Sequence, residues 1–248
     1  MRSFFTSLAF LSRLPVPTAW QLPAEADFRG LPRWFWLAGL VLGVLLGLIA
    51  WGLAHVFPPM LAAVCLIGCG VVLTGAFHED GFADVADACG GYTRERRFEI
   101  MHDSRLGTFG VSALVFLFLF RFVAFSHVMA EDIMRLAIGL ALLGGWSRWS
   151  AVLVMQLLPY LDSTGKGIAR HVRPPGWSMI LISGVILFGL SVWADLALAA
   201  GLIIGALLVA GLARLIFHRF LGGITGDGLG ATAITAEIIG LTLLVTLS

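Results

Sequence analysis

The sequence predicts an all-α fold: a polytopic integral membrane helical bundle of about seven transmembrane helices with an N-terminal amphipathic segment, forming one membrane-embedded domain over residues 1–248. Three observations carry that prediction. Of the 248 residues, 59% are hydrophobic and 12% are charged, about half the charge of an ordinary soluble domain. Apolar runs close to the roughly 20 residues that a helix needs to cross a hydrocarbon core recur along the chain. Finally, the basic residues fall on every second connection between those runs.

In chain order, "MRSFFTSLAFLSRLPVP" pairs an arginine with a short apolar stretch. Arg13 and two prolines stand where a signal peptide would carry small residues for cleavage, so the segment is expected to lie at the membrane surface. The competing reading is an uncleaved signal-like segment. The spans are then expected at 34–54, 60–77, 108–129, 134–157, 178–194, 196–216 and 231–247. Pro58 and Pro59 suit a helix start, and the pattern continues to Gly90-Gly91, a natural stop. A single helix of that length measures about 45 Å against a core of ~30 Å, so its last turns are expected to stand clear of the lipid. Asp195 marks the turn between the fifth and sixth spans.

Arg2, Arg13, Arg29 and Arg33 precede the first span, Arg94, Arg96, Arg97 and Arg105 the third, Lys166, Arg170 and Arg173 the fifth, and Arg214 and Arg219 close the sixth. All share one side, which the positive-inside rule makes cytoplasmic. The other side has only "AHVFPP", "AED" and the Asp195 turn, with Arg135 as its one basic residue. A net charge of +1 without a basic stripe excludes a nucleic-acid footprint. Cys65, Cys69 and Cys89 lack metal-site spacing and read as small buried hydrophobes.

Charge concentrates in "HEDGFADVADACGGYTRERRFEIMHDSRLGTFG", residues 78–110. There Asp80, Asp84 and Asp87 stand at i, i+4 and i+7 on one helical face, opposite Phe82, Val85, Ala86 and Cys89. Like charges at that spacing repel unless a cation sits against them. Carboxylates are hard ligands, suited to magnesium, manganese or calcium. Asp80 and Asp87 lie about 10 Å apart along the axis, which favours two ions, or one with water-mediated ligands, and Asp103 entering from the next segment. Magnesium takes one or two carboxylates plus substrate phosphates, so this pattern points to diphosphate chemistry. The bland alternative is a solvated acidic helix end.

"DSRLGTFG" adds Ser104, Arg105, Gly107 and Gly110: a guanidinium to grip phosphate and glycines for close backbone approach. Arg94, Arg96 and Arg97 are better read as ordinary positive-inside residues. "LGGITGDGLGATAITAE" places Thr225, Gly226 and Asp227 in a glycine-rich turn on the same side, which reads as a turn or as part of a phosphate or metal site. "DSTGKG", from Asp162 to Gly167, lacks the first glycine of a P-loop and the Ser or Thr after Lys166, and is rejected as one. Arg121, Arg148 and Glu237 fall inside spans and should face the bundle interior, either paired with one another or reaching a polar substrate.

"FLSRLPVP", "HEDGFADVADACGG", "IMHDSRLGTFG" and "GGITGDGLGA" together resemble the cobalamin synthases, the adenosylcobinamide-GDP ribazoletransferases. The resemblance spans most of the chain; the central pair is the most specific part, and "LPYLDSTGKG" departs from the pattern. It implies a multi-pass enzyme of the bacterial inner membrane, its site facing the cytoplasm. The reaction implied joins adenosylcobinamide-GDP to α-ribazole or α-ribazole 5′-phosphate and releases GMP with magnesium, one or two ions. On that implication Asp80, Asp84, Asp87, Asp103 and Asp227 hold the metal, and Ser104, Gly107, Thr225 and Gly226 line the phosphate site. His78, with a near-neutral pKa, accepts the hydroxyl proton unless a water-coupled carboxylate does, and Arg105 holds the diphosphate. The expected partners are these substrates and the lipid bilayer; assembly into a homo-oligomer is left open.

Three rivals stand beside this reading: a CDP-alcohol phosphotransferase, a prenyltransferase with aspartate-rich metal motifs and, from a different class, a transporter. A CDP-alcohol phosphotransferase would carry D-x-x-D-G-x-x-A-R, which "HEDGFADVAD" does not match. A transporter accounts for Arg121, Arg148 and Glu237 as a pathway but leaves the aspartate helix unexplained.

Overall fold

The computed structural model describes residues 1–23, 28–161 and 173–247. Asp162, Lys166 and Arg170, singled out in the sequence, lie outside the described residues. The α-helices of the described chain are α1 Arg2–Leu11, α2 Phe35–Ala54, α3 Pro59–Thr74, α4 Phe77–Ala88, α5 Arg94–Met101, α6 Thr108–Glu131, α7 Ile133–Leu157, α8 Trp177–Ala194, α9 Leu196–Phe220 and α10 Gly226–Thr246. The segment ending in α2, together with α6, α7, α8, α9 and α10, gives six helices long and apolar enough to cross a bilayer, and the bent pair α3–α4 makes up to seven. Their outward faces are apolar and bare, with Leu48, Val72, Phe116 and Val185 all more than half exposed. Such surface suits lipid and not water.

The central helix is α7, with 83% of its apolar window buried against 28% to 50% for the other five. Its closest neighbour is α2, and the reason lies in three glycines. Gly39, Gly43 and Gly47 recur every fourth residue along one face, against Gly144, Leu140 and Ala137. A Cβ on Gly43 would run into the Leu140 carbonyl, so the two backbones meet as closely as small-xxx-small seams allow.

The expected single helix from Pro58 to Gly90 is instead two, α3 and α4, inclined at 91°. Gly75 (φ 65°) and Ala76 (φ 57°) both adopt the left-handed conformation that ends a helix. The Arg13 N–H donates to the Leu73 carbonyl at 2.8 Å, satisfying one acceptor at the end of α3. The new start is marked by Glu79 and Asp80 in the first turn of α4, where the helix dipole favours anions. So α4 does not run on from α3; it lies across the beginnings of α10 and α6. A Cβ on Gly81 would come within 2.8 Å of the Asp227 Cα, and the Asp87 carboxylate reaches Gly107 and Gly110.

Further contacts fix this end of the bundle. The N-terminal segment is packed and not merely surface-lying: Leu8 and Leu11 are buried against Ala38 and Leu42, and the Ser7 hydroxyl donates to the Leu31 carbonyl at 3.0 Å. Arg97 and Arg94 do more than mark a membrane side. Arg97 donates to the Phe220 carbonyl at 2.8 Å with its guanidinium 4.2 Å from that ring, and Arg94 donates to the His218 carbonyl at 3.3 Å. Both cap the negative end of α9. The stretch after α7 pairs with the turn before α10, Leu161 N–H to the Ile224 carbonyl at 2.8 Å and Ile224 N–H to the Pro159 carbonyl at 2.9 Å. Cys89 is exposed, contrary to the buried role expected of it, because α4 stops just before it.

Candidate active site

Crossing α4 over α10 gathers carboxylates that lie far apart in sequence. Asp80 and Asp84 come from α4 and Asp227 from the first turn of α10. The Asp84 carboxyl is pushed up to about 7, by partial burial first and then by the charges of Asp80, Asp227 and Asp87. A carboxylate that resists ionisation because it is partly buried and has three other carboxylates near it is a site in want of positive charge. Among the described residues, no three His, Cys, Asp or Glu side chains already converge on a single ion position. The donor set nevertheless fits magnesium, which needs only one or two carboxylates once water and phosphate oxygens fill its octahedron.

Two expected ligands are engaged elsewhere. Both Asp87 oxygens accept backbone N–H groups at 2.7 Å, from Gly107 and from Gly110, so Asp87 caps the start of α6. The two glycines make room for that carboxylate, since a Cβ on either would strike it. Asp103 pairs with Arg105, accepting from Nη2 at 2.6 Å and from Nε at 3.0 Å, and these bonds hold its carboxyl down at about 2. Ser104 is exposed between them. Thr225 is the N-cap of α10, its Oγ1 accepting from the Gly228 N–H at 3.1 Å, and Gly226 is exposed beside it.

Beneath α4 lies a buried ionic group. Arg121 on α6 donates through Nη1 to Glu79 at 2.6 Å and through Nε and Nη2 to the two oxygens of Glu237 at 2.7 and 3.0 Å. That is the pairing the structural reading of Arg121 and Glu237 expects, and both side chains also line a cavity between α2, α3, α6, α7 and α10. Glu79 is a residue the sequence reading passed over; its signal was the small-residue face that it shares with Ala83 and Ala86, a face fit for packing.

Arg148 on α7 is held less fully. Its Nη1 donates to the Ser147 hydroxyl at 3.0 Å and its Nη2 lies 3.4 Å from His78 Nδ1, while its buried Nε has no partner among the described residues. His78 does not have the near-neutral pKa expected of it. Burial first, then the charges of Arg148 and Arg121, hold the imidazole well below its ordinary value. Arginine carries only donors, so Nδ1 facing Arg148 is the lone-pair nitrogen and Nε2 carries the proton. His78 is thus arranged as a neutral imidazole that can donate through Nε2.

Residues 3–245 match the family described as cobalamin-5-phosphate synthase. The chain is 33% identical over 242 residues to the adenosylcobinamide-GDP ribazoletransferase of Ralstonia pickettii, covering 96% of this chain and 93% of that protein. It is 38% identical over 240 residues to the protein of the same name from Chlorobaculum tepidum, covering 94% and 90%. A third, from Vibrio parahaemolyticus, is 35% identical over 245 residues, covering 96% and 90%. No solved structure matches the chain.

Proposed function

The chain belongs to the cobalamin-5-phosphate synthase family and is a transferase, and from that premise we propose that it joins adenosylcobinamide-GDP to α-ribazole or its 5′-phosphate, releasing GMP, with magnesium, at the cytoplasmic face of the bacterial inner membrane. The observation that carries the chemical part is the crossing of α4 over α10, which sets Asp84 among Asp80, Asp227 and Asp87. The end of the bundle where they meet also bears Arg94, Arg96, Arg97, Arg105 and Arg219, which supports a cytoplasmic orientation.

In this reading Asp80, Asp84 and Asp227 would hold the magnesium, which when bound would supply Lewis-acid stabilisation of charge on the diphosphate. A ribose hydroxyl of the acceptor attacks the phosphorus next to cobinamide; the new P–O bond forms as the bond to the bridging oxygen breaks, and GMP leaves with that oxygen and its electron pair. The hydroxyl proton passes to a carboxylate of the cluster, directly or through water, and His78 donates through Nε2 to an oxygen of the substrate. Arg105, with its side chain 87% exposed, grips the diphosphate, and Asp103 keeps its guanidinium oriented. Ser104, next to Arg105, and Gly226, next to Asp227, are exposed, and Asp87, Gly107 and Thr225 hold the starts of α6 and α10.

The test is direct. The purified protein in micelles or vesicles, given both substrates and magnesium, is expected to release GMP and to stop when a chelator is in excess. Absence of GMP with a folded protein overturns the reaction assignment; undiminished release in chelator overturns the metal.

A further inference from the structure

The N-terminal motif "FLSRLPVP" brings no carboxylate to the cluster, yet it lies against the bend from which α4 sets out. Ser12 ends α1: its hydroxyl donates to the Leu8 carbonyl at 2.6 Å and accepts from the Leu14 N–H at 3.3 Å, while its extended backbone turns the chain out of the helix. The next N–H, that of Arg13, then reaches the Leu73 carbonyl in the last turn of α3 at 2.8 Å. The Arg13 side chain runs on over Gly75, where an added Cβ would strike its Nε and come within 3.0 Å of Cγ and 3.2 Å of Cδ. Three residues earlier, Phe10 meets Phe77, the first residue of α4, edge-on at 5.2 Å. The segment therefore touches the end of one helix, the turn and the start of the next.

That turn decides where the carboxylates stand. Gly75 and Ala76 are both left-handed, and Ala76 is the one non-glycine residue in that conformation among the described residues. An alanine so placed is held by its surroundings and not by its own preference. In the right-handed conformation the same two residues would carry α3 straight on into α4. Bent by 91°, α4 instead packs Gly81 on the Asp227 backbone and brings Asp87 to the Gly107 and Gly110 amides.

We propose that Arg13 is a positioning residue: its stem, laid over Gly75, latches the left-handed turn and so holds Asp80 and Asp84 of α4 against Asp227 of α10. The link to magnesium rests on the transferase reading above, whereas the latch itself does not. Arg13 is otherwise exposed, so its shape and its charge are separable by substitution.

The test uses the full chain in detergent and has one readout that needs neither metal nor turnover. Hydrogen exchange at the Gly107 and Gly110 amides, both held by Asp87 at the far end of α4, is followed in chelator. Half-saturating magnesium for GMP release is measured in parallel. Arg13→Ala removes the stem and is expected to speed exchange at both amides, and to raise the magnesium midpoint, by at least about fivefold each. Arg13→Met keeps a stem of similar length without the charge and is expected to stay within about twofold of wild type on both readouts. Gly75→Ala, which drives a Cβ into that stem, is expected to shift both readouts further, and Arg13→Ala combined with it to shift them by less than the product of the single effects. Unchanged exchange in Arg13→Ala overturns the proposal, as do independent effects in the double variant. Arg13→Met behaving as Arg13→Ala also overturns it, since the guanidinium would then be the functional group. If Arg13→Ala does not fold, Arg13→Met decides alone: faster exchange there overturns the latch and wild-type exchange supports it. Wild type that releases no GMP defeats the transferase reading and leaves exchange to decide the latch.

Discussion

Arg121, halfway along α6, holds both carboxylate oxygens of Glu237 on α10, at 2.7 and 3.0 Å, and the same guanidinium reaches Glu79 on α4 at 2.6 Å. One side chain thus ties the acidic helix to two spans. Arg121→Met removes the charge and strands two buried carboxylates. It is expected to cost about 3–5 kcal/mol, the price of breaking a buried ion pair by one partner. A thermal unfolding curve in detergent checks this. Glu237→Gln should lose stability and activity together; activity lost from a fully stable Glu237→Gln protein would instead give Glu237 a chemical role.

Asp84 and Asp87 lie on one helix face yet should behave oppositely. Asp84→Asn removes the partly buried charge, and its repulsion with Asp80, Asp227 and Asp87, that together push the carboxyl to about 7, so thermal stability measured in chelator should hold or rise. GMP release should fall by at least about 100-fold and the magnesium requirement should shift upward, as expected for loss of a charge-stabilising group. Asp87→Ala should cost about 1–2 kcal/mol of stability, as for a lost helix cap, with the magnesium midpoint unmoved. A shifted midpoint in Asp87→Ala would return that residue to the metal.

The Asp103–Arg105 pair predicts a pH response with a definite sign. Because Arg105 depresses the Asp103 carboxyl to about 2, the pairing is complete above the ordinary carboxylate value of about 3.8 and is lost as pH falls through about 2. Arg105→Ala should return the Asp103 pKa toward that ordinary value, read by side-chain carbonyl NMR. An unmoved pKa would show that the two side chains do not pair in solution.

The α2–α7 seam predicts that Gly43→Leu prevents the two helices from meeting, since even a Cβ there would strike the Leu140 carbonyl. A sharp loss of folded protein by size exclusion is expected, while Gly52→Ala, where a Cβ meets nothing within 4 Å, serves as the tolerated control on the same helix. Equal yields from the two would remove the seam from the account of the fold.

Much of this was legible before any coordinates. Span positions, the side that gathers basic residues and the proline start of α3 follow from composition and local pattern, because a bilayer demands apolar length and internal hydrogen bonding wherever the chain crosses it. The aspartates of α4 were equally visible. The break at Gly75-Ala76 was less so: glycine inside an apolar run is common in membrane helices, and only the packing of Arg13 against that turn commits it to the left-handed conformation.

The sequence by itself determined the helical membrane class, the family and the inventory of charged residues at one end of the bundle. Only the tertiary structure decided what each of those charges faces. It turned Asp87 to the amides of α6, Asp103 to Arg105 and Glu79 to Arg121, brought Asp227 to Asp84, and turned Arg148 to Ser147 and His78. The reason is physical. Lipid solvation acts on each segment separately and can be read along the chain, whereas the partner of a charge depends on which helices cross, and here a 91° bend between two left-handed residues and their neighbours sets that crossing.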